Sequence, residues 1–228
     1  MRSLGPPGTL VNGGEHHSGE NMTDSVATTA DDYSHDSEFL GHPKGLYVCF
    51  TTELWERFSF YGMKYLLLLY LTKYHLFTDE AGLDVLGSYA GLVYALPLIG
   101  GMIADRFLGM RKSVLFGGIL LSLGHILMAV EGHQAINYAA GTVLANDLTL
   151  ANGEVLVAGT TLSEAIVFRD TEALKVFYLA LALIVMGVGY LKPNISTIVG
   201  KLYSIDDPRR DSGFTIFYMG INIGSFTA

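Results

Sequence analysis

The sequence predicts an all-α membrane protein, a polytopic bundle of about four and a half transmembrane helices, with one small β-hairpin held outside the bilayer. Three observations lead there. Half of the 228 residues are hydrophobic, and they are gathered into long blocks instead of being spread at amphipathic spacing. Each complete block approaches the ~20 residues that a helix needs to cross the hydrocarbon core. Between the third and fourth blocks, Asn152-Gly153 sits between two short strand-like runs, a strong hairpin signal.

The elements follow in order. Residues 1–40 read as a disordered acidic tail: Met1–Glu38 holds seven acids against the single base Arg2, with no apolar periodicity and no signal-peptide core. His16 and His17 belong to that solvated stretch, and no metal site is expected. Residues 41–228 form a partial transmembrane half, with apolar blocks at about Leu46–Leu71, Ser88–Ala104, Ser113–Val130 and Leu174–Val199 and a fifth beginning near Gly213. The insertion 131–172 reads as a loop carrying the hairpin, with Leu148-Thr149-Leu150 and Glu154-Val155-Leu156-Val157 as its arms, packed on the bundle. The single cysteine, Cys49, lies in the first block and is read as core packing.

Lys and Arg outside the spans set the orientation. With the N-terminus in the cytoplasm, eight of them (Arg2, Lys44, Arg106, Arg111, Lys112, Lys201, Arg209, Arg210) fall inside and three (Lys73, Arg169, Lys175) outside, which favours that topology. The loop Asp105–Lys112 is then cytoplasmic and the hairpin extracytoplasmic. A net charge of −8 gives no footprint for nucleic acid. No nucleophile–base set or metal-ligand spacing is present, so catalysis is not expected, and His125 in the third block reads as packed or pore-lining.

Five charges lie inside the spans: Glu53, Glu56, Arg57, Lys64 and Lys192. Each costs roughly 2.5–3.5 kcal/mol at the bilayer centre unless it is paired or faces a wet cavity. Positions 53, 56, 57, 60, 61 and 64 are separated by steps of three and four, so Glu53, Glu56, Arg57, Phe60, Tyr61 and Lys64 share one helix face, opposite Leu54, Trp55, Met63, Leu66 and Leu67. Pairing of Arg57 with both glutamates is the structural alternative, but it leaves Lys64 unanswered. In the fourth block, Pro193 frees a backbone carbonyl beside Lys192, which marks either a lined cavity or a lysine snorkelling to the interface. The pairs Gly87/Gly91 and Gly220/Gly224 have close-packing spacing. With both glutamates ionised, the five charges leave one positive charge in surplus.

Several stretches carry a family resemblance: Glu53-x-x-Glu56-Arg57-Phe58-Ser59-Phe60-Tyr61-Gly62, Gly189-Tyr190-Leu191-Lys192-Pro193-Asn194, and Phe217-Tyr218-Met219-Gly220-Ile221-Asn222-Ile223-Gly224-Ser225. They resemble the proton-dependent oligopeptide transporter family of the major facilitator superfamily. The stretch containing Gly101, Asp105, Arg106, Gly109, Arg111 and Lys112 resembles the superfamily's conformational loop between its second and third helices.

That resemblance implies a rocker of two six-helix halves and proton-coupled symport of di- and tripeptides by alternating access, with the proton as coupling ion and no other cofactor. It assigns proton coupling to Glu53, Glu56, Arg57 and Lys192. It assigns substrate binding to Arg57, Phe60, Tyr61, Lys64, Tyr94, Lys192 and Asn222. Two positions depart from the family pattern, Lys64 for arginine and Phe60 for tyrosine, losing a bidentate fork and a hydroxyl. The chain is expected to be an N-terminal fragment, unable to transport without a missing C-terminal half, in the plasma (inner) membrane. Two alternatives stay open: the same fold carrying nitrate or another small anion, and a non-transporting scaffold or sensor.

Overall fold

The computed structural model describes residues 38–150 and 152–228. Residues 1–37 of the expected tail lie outside the described residues. The chain divides after Gly41. In the first unit, Glu38–Phe39 (β1) is extended and is followed by Leu40 and Gly41 at φ 50° and 78°.

The second unit holds the bundle. It begins with β2 (His42–Pro43) and α1 (Lys44–Leu69), whose last turn widens into a π-helical segment at Tyr70–Tyr74. Next comes α2 (Asp79–Ile103), followed by a second π segment at Ala104–Leu108 and α3 (Met110–Met128). After the insertion come α4 (Thr171–Lys201) and α5 (Arg210–Thr227). The helix α2 starts well before its apolar block, because Thr78 caps it through Ala81 N–H at 3.2 Å and Asp79 and Glu80 complement the helix dipole. Among the described residues, three stretches are apolar and long enough to cross a membrane by composition: Asp79–Leu108, Met110–Met128 and Thr171–Lys201. The charges of α1 and the polar residues of α5 keep those two helices from qualifying on composition alone.

Small residues set the packing, in a pattern only partly foreseen. Gly87 and Gly91, expected at a helix interface, have nothing against them among the described residues. A side chain at Gly117 would meet the Gly187 carbonyl at 2.6 Å, and one at Gly100 would strike the Gly189 carbonyl. These contacts dock α3 and α2 onto α4. Pro193 lacks the N–H that would bond Gly189 four residues earlier, so the carbonyl it frees is the one Gly100 packs against. The helix nevertheless continues through Pro193 to Lys201. Gly220 and Gly224 pack as expected, against Phe50 and against Leu54 and Arg57, which joins α5 to α1.

Two apolar cores result. One gathers Phe60, Leu67, Leu71, Tyr89, Val93, Phe177 and Ile184, and the other Leu46, Cys49, Leu191, Ile195, Val199 and Phe217. Along α1, Glu53, Glu56 and Arg57 fall between them. Trp55 and Leu66 are exposed on the other side of α1, whereas Leu67 is core.

The insertion is larger than a single hairpin. The strand pair β4 (Leu148–Thr149) and β5 (Val155–Leu156) is antiparallel, with Leu148 opposite Leu156, and Gly153 supplies the positive φ of the turn. Below it, Val143 bridges Thr161, and β3 (Ile136–Tyr138) pairs with β6 (Ile166–Phe168). The strands are stages of one ribbon over a small core of Leu144, Leu148 and Leu162.

Side chains tie the ribbon's base to the bundle. Arg169 donates to the carbonyls of His75 (2.7 Å) and Leu76 (2.8 Å) and stacks on Phe77, holding Leu76 at φ 52°. His75 is fully buried against Tyr70, Tyr74 and Phe177; burial and the Arg169 cation push it below the usual imidazole range. Asp170 caps α4 through Ala173 N–H at 3.1 Å and accepts from His133. Those donors hold its carboxyl below the usual range. Since the folded-state carboxyl titrates lower than the unfolded one, its contribution is present at neutral pH and is lost as pH falls through the folded value. Asp170→Ala is therefore expected to cost about 1 kcal/mol at pH 7. Thermal melts of the purified protein should show the difference from wild type shrinking on acidification.

Candidate functional site

The site is built on α1. Glu53, Glu56 and Arg57 are at most 7% exposed, and the 3.6-residue period brings all three to one side. Arg57 Nε lies 3.2 Å from Glu53 Oε1 and donates a hydrogen bond to Glu56 Oε2. Two carboxylates thus share one guanidinium edge. Glu53 Oε2, Glu56 Oε1 and Arg57 Nη2 are buried without a hydrogen-bond partner among the described residues. A buried polar atom without a partner costs roughly 1–3 kcal/mol, so each of these three atoms gains from a further hydrogen bond.

Aromatic rings fix the triad in place. Arg57 lies 5.4 Å from the centroid of Phe60, which stacks on Tyr89 at 6.3 Å and meets the edge of Tyr61 at 5.1 Å. Across the bundle on α4, Lys192 is half-buried, with Nζ 5.4 Å above the Tyr94 ring of α2 and within electrostatic reach of Glu53, Glu56 and Arg57. Lys64 is half-buried on the predicted face, two turns beyond Arg57, and forms no ion pair among the described residues. Asn222 is exposed on α5, its amide donating to the Tyr218 carbonyl at 3.2 Å. The fold therefore assembles Glu53, Glu56, Arg57, Phe60 and Tyr61, with Lys192 and Tyr94 opposite, while Lys64 and Asn222 stand apart.

A cavity of about 410 Å³ opens beside Glu56, lined also by Thr52, Ser59, Tyr89, Ser122 and His125. His125 Nδ1 faces the Leu121 carbonyl at 2.7 Å; a carbonyl can only accept, so Nδ1 carries the proton and Nε2 accepts from the Ser59 hydroxyl. Sequence reasoning missed this pairing and missed Tyr89. Ser59 follows the Glu56-Arg57 pair and Tyr89 follows Ser88 at the start of an apolar block, and that was the available signal.

At the opposite end, Gly101 packs on Pro193, and Gly109, at φ 75°, opens α3 in a conformation that favours glycine. Asp105 and Arg106 are exposed, and a groove of about 390 Å³ brings Arg111, Lys112 and Lys201 together.

Apolar helices folded around a buried carboxylate–guanidinium cluster define the class: a multi-pass membrane bundle with a polar site at its centre. The model of the POT family matches residues 111–228, and the chain belongs to that family. It is 40% identical over 199 residues to a di-/tripeptide transporter of Lactococcus lactis, covering 83% of this chain and 32% of the relative. To a peptide transporter of Yersinia enterocolitica it is 37% identical over 196 residues, covering 83% of this chain and 31% of the relative. Among solved structures, it superposes on a peptide transporter POT in complex with sulfate (TM-score 0.65, 35% identity, 86% of this chain and 34% of that one). A POT family transporter in complex with 5-aminolevulinic acid also matches (TM-score 0.59, 32% identity, 82% and 31%). The helices are thus those of a major facilitator superfamily bundle, and the relatives are transporters, not enzymes. The chain spans about a third of the length of the curated relatives it matches.

Proposed function

We propose that this chain serves proton-coupled symport of di- and tripeptides by alternating access, in the plasma membrane with its N-terminus in the cytoplasm, working with a second helical half that completes the cavity. The observation that carries the reading is the buried Glu53–Arg57–Glu56 cluster, facing Lys192 from another helix. Protonating either carboxylate frees Arg57 to hold an anionic group, which couples proton binding to substrate binding. Glu53, Glu56, Arg57 and Lys192 take the coupling role. Arg57, Lys64 and Lys192 offer positive charge to a peptide carboxylate, and Phe60, Tyr61, Tyr94 and Asn222 shape the pocket. The segment with Gly101, Asp105, Arg106, Gly109, Arg111 and Lys112 moves as the cytoplasmic hinge loop.

The test is radiolabelled dipeptide uptake into proteoliposomes of the full-length protein under an inward proton gradient, with nitrate as competitor. Peptide uptake that does not respond to the gradient, or that nitrate displaces, overturns the reading. In the same assay, Lys64→Arg should keep uptake near wild type. Lys64→Ala should raise KM by about tenfold or more, the loss of one charge-assisted contact. A normal KM in Lys64→Ala removes Lys64 from the binding set.

A further inference from the structure

Around the cavity beside Glu56, the hydroxyl and imidazole donors are committed with one exception among the described residues. Thr52 donates to the Val48 carbonyl (2.7 Å), Ser122 to the Gly118 carbonyl (2.9 Å) and Ser59 to His125, while His125 donates to the Leu121 carbonyl. Among the hydroxyl and imidazole groups lining this cavity, the hydroxyl of Tyr89 is the one with no hydrogen-bond partner among the described residues, although the residue is only 3% exposed. The same cavity holds an orphan acceptor. Glu56 gives Oε2 to Arg57 and leaves Oε1 buried without a partner. The two groups act on one another electrostatically, and stacking on Phe60 fixes the direction in which the phenol can point.

We propose that Tyr89 is a positioning residue for Glu56: as the side chain reorients, its hydroxyl donates to the Glu56 carboxylate and favours the ionised form, lowering the pH at which Glu56 takes up a proton and releases Arg57. The inference rests on the proton-coupling role given to Glu56 above. The charged and titratable groups facing Glu56 are Glu53 and Arg57 on its own helix, Tyr89 on α2, His125 on α3 and Lys192 on α4. Tyr89 is the one neutral donor in that set without a committed hydrogen. It can follow the carboxylate without adding a charge. A further cation beside Arg57 and Lys192 would hold Glu56 more firmly in the ionised form, whereas a phenol tips the balance and still lets the proton on.

The test is infrared titration of the full-length protein in lipid, reading the carboxylic C=O band that Glu56→Gln abolishes. Tyr89→Phe deletes the oxygen and keeps the ring stacked on Phe60. The midpoint of the band is expected to move up by about one pH unit, because a hydrogen bond to a charged group is worth roughly 1.5 kcal/mol. In proteoliposomes the pH of half-maximal uptake should follow, with KM for dipeptide within about twofold of wild type, a split that a purely structural role for Tyr89 does not produce. An unchanged midpoint, or a Glu56 band absent at every pH, overturns the proposal. The spectroscopic readout needs no transport, so a shifted midpoint in a protein that moves no peptide sinks the transport reading alone.

Discussion

Replacing Glu56 with glutamine is expected to abolish proton-driven accumulation of dipeptide, bringing the inside-to-outside ratio to unity, while counterflow exchange persists. The substituted amide keeps the shape of the side chain, and its carbonyl can still accept from Arg57 Nε, so the local hydrogen bond seen at Glu56 Oε2 survives in neutral form. Glu53, 3.2 Å from the same nitrogen, still neutralises the guanidinium, which spares the protein the roughly 3–5 kcal/mol that an uncompensated buried charge costs. The protein should therefore fold and bind peptide. What disappears is a carboxylate able to hand Arg57 over when a proton arrives, and with it the linkage between the proton gradient and the substrate. Uptake under an imposed gradient, set against exchange in its absence, separates the two. Accumulation at the wild-type level would move coupling to Glu53 or off this helix.

The triad was legible in the sequence because α-helical geometry is local: steps of three and four along α1 are enough to place Glu53, Glu56, Arg57 and Phe60 on one buried face. Long apolar blocks likewise fix where helices run, though their ends moved outward wherever polar caps such as Thr78 and Asp170 extend the first turn beyond the apolar stretch. The glycine contacts were half legible. Spacing shows which glycines could meet a neighbour, but only the neighbour's own surface decides, so Gly220 and Gly224 found α1, Gly87 and Gly91 found nothing among the described residues, and Gly100 and Gly117 did the docking. The same limit explains the ribbon. Its Asn-Gly turn announces β4 and β5, whereas β3 and β6 pair across most of the insertion with no turn of their own between them, Ile136 opposite Phe168 and Tyr138 opposite Ile166. Tyr89 and the Ser59–His125 pair escaped notice because their significance lies in which hydrogen each group has left to give, a property of three-dimensional neighbours.

Lys192→Ala is expected to weaken dipeptide binding by about tenfold or more and, at the same time, to move its pH dependence upward by about one unit. Both effects follow from where the ammonium sits. It is half-buried over the Tyr94 ring, where a cation–π contact and the carboxylates of α1 hold it away from water. Among the described residues it is the positive charge brought to the triad from a different helix, so its distance from Glu53 and Glu56 changes if α4 moves against α1. Without it, the cluster keeps two acids and one base. Protonation of a carboxylate is then easier at a given pH, and the peptide's own carboxylate meets one anchor fewer. Lys192→Arg separates charge from shape. It should restore the pH dependence, because guanidinium is equally positive, while its broader fork alters affinity. Equilibrium binding of radiolabelled dipeptide to the full-length protein, measured across pH for wild type and both variants, resolves the two effects. If Lys192→Ala matches wild type in both affinity and pH dependence, the lysine is packing against Tyr94 and nothing more.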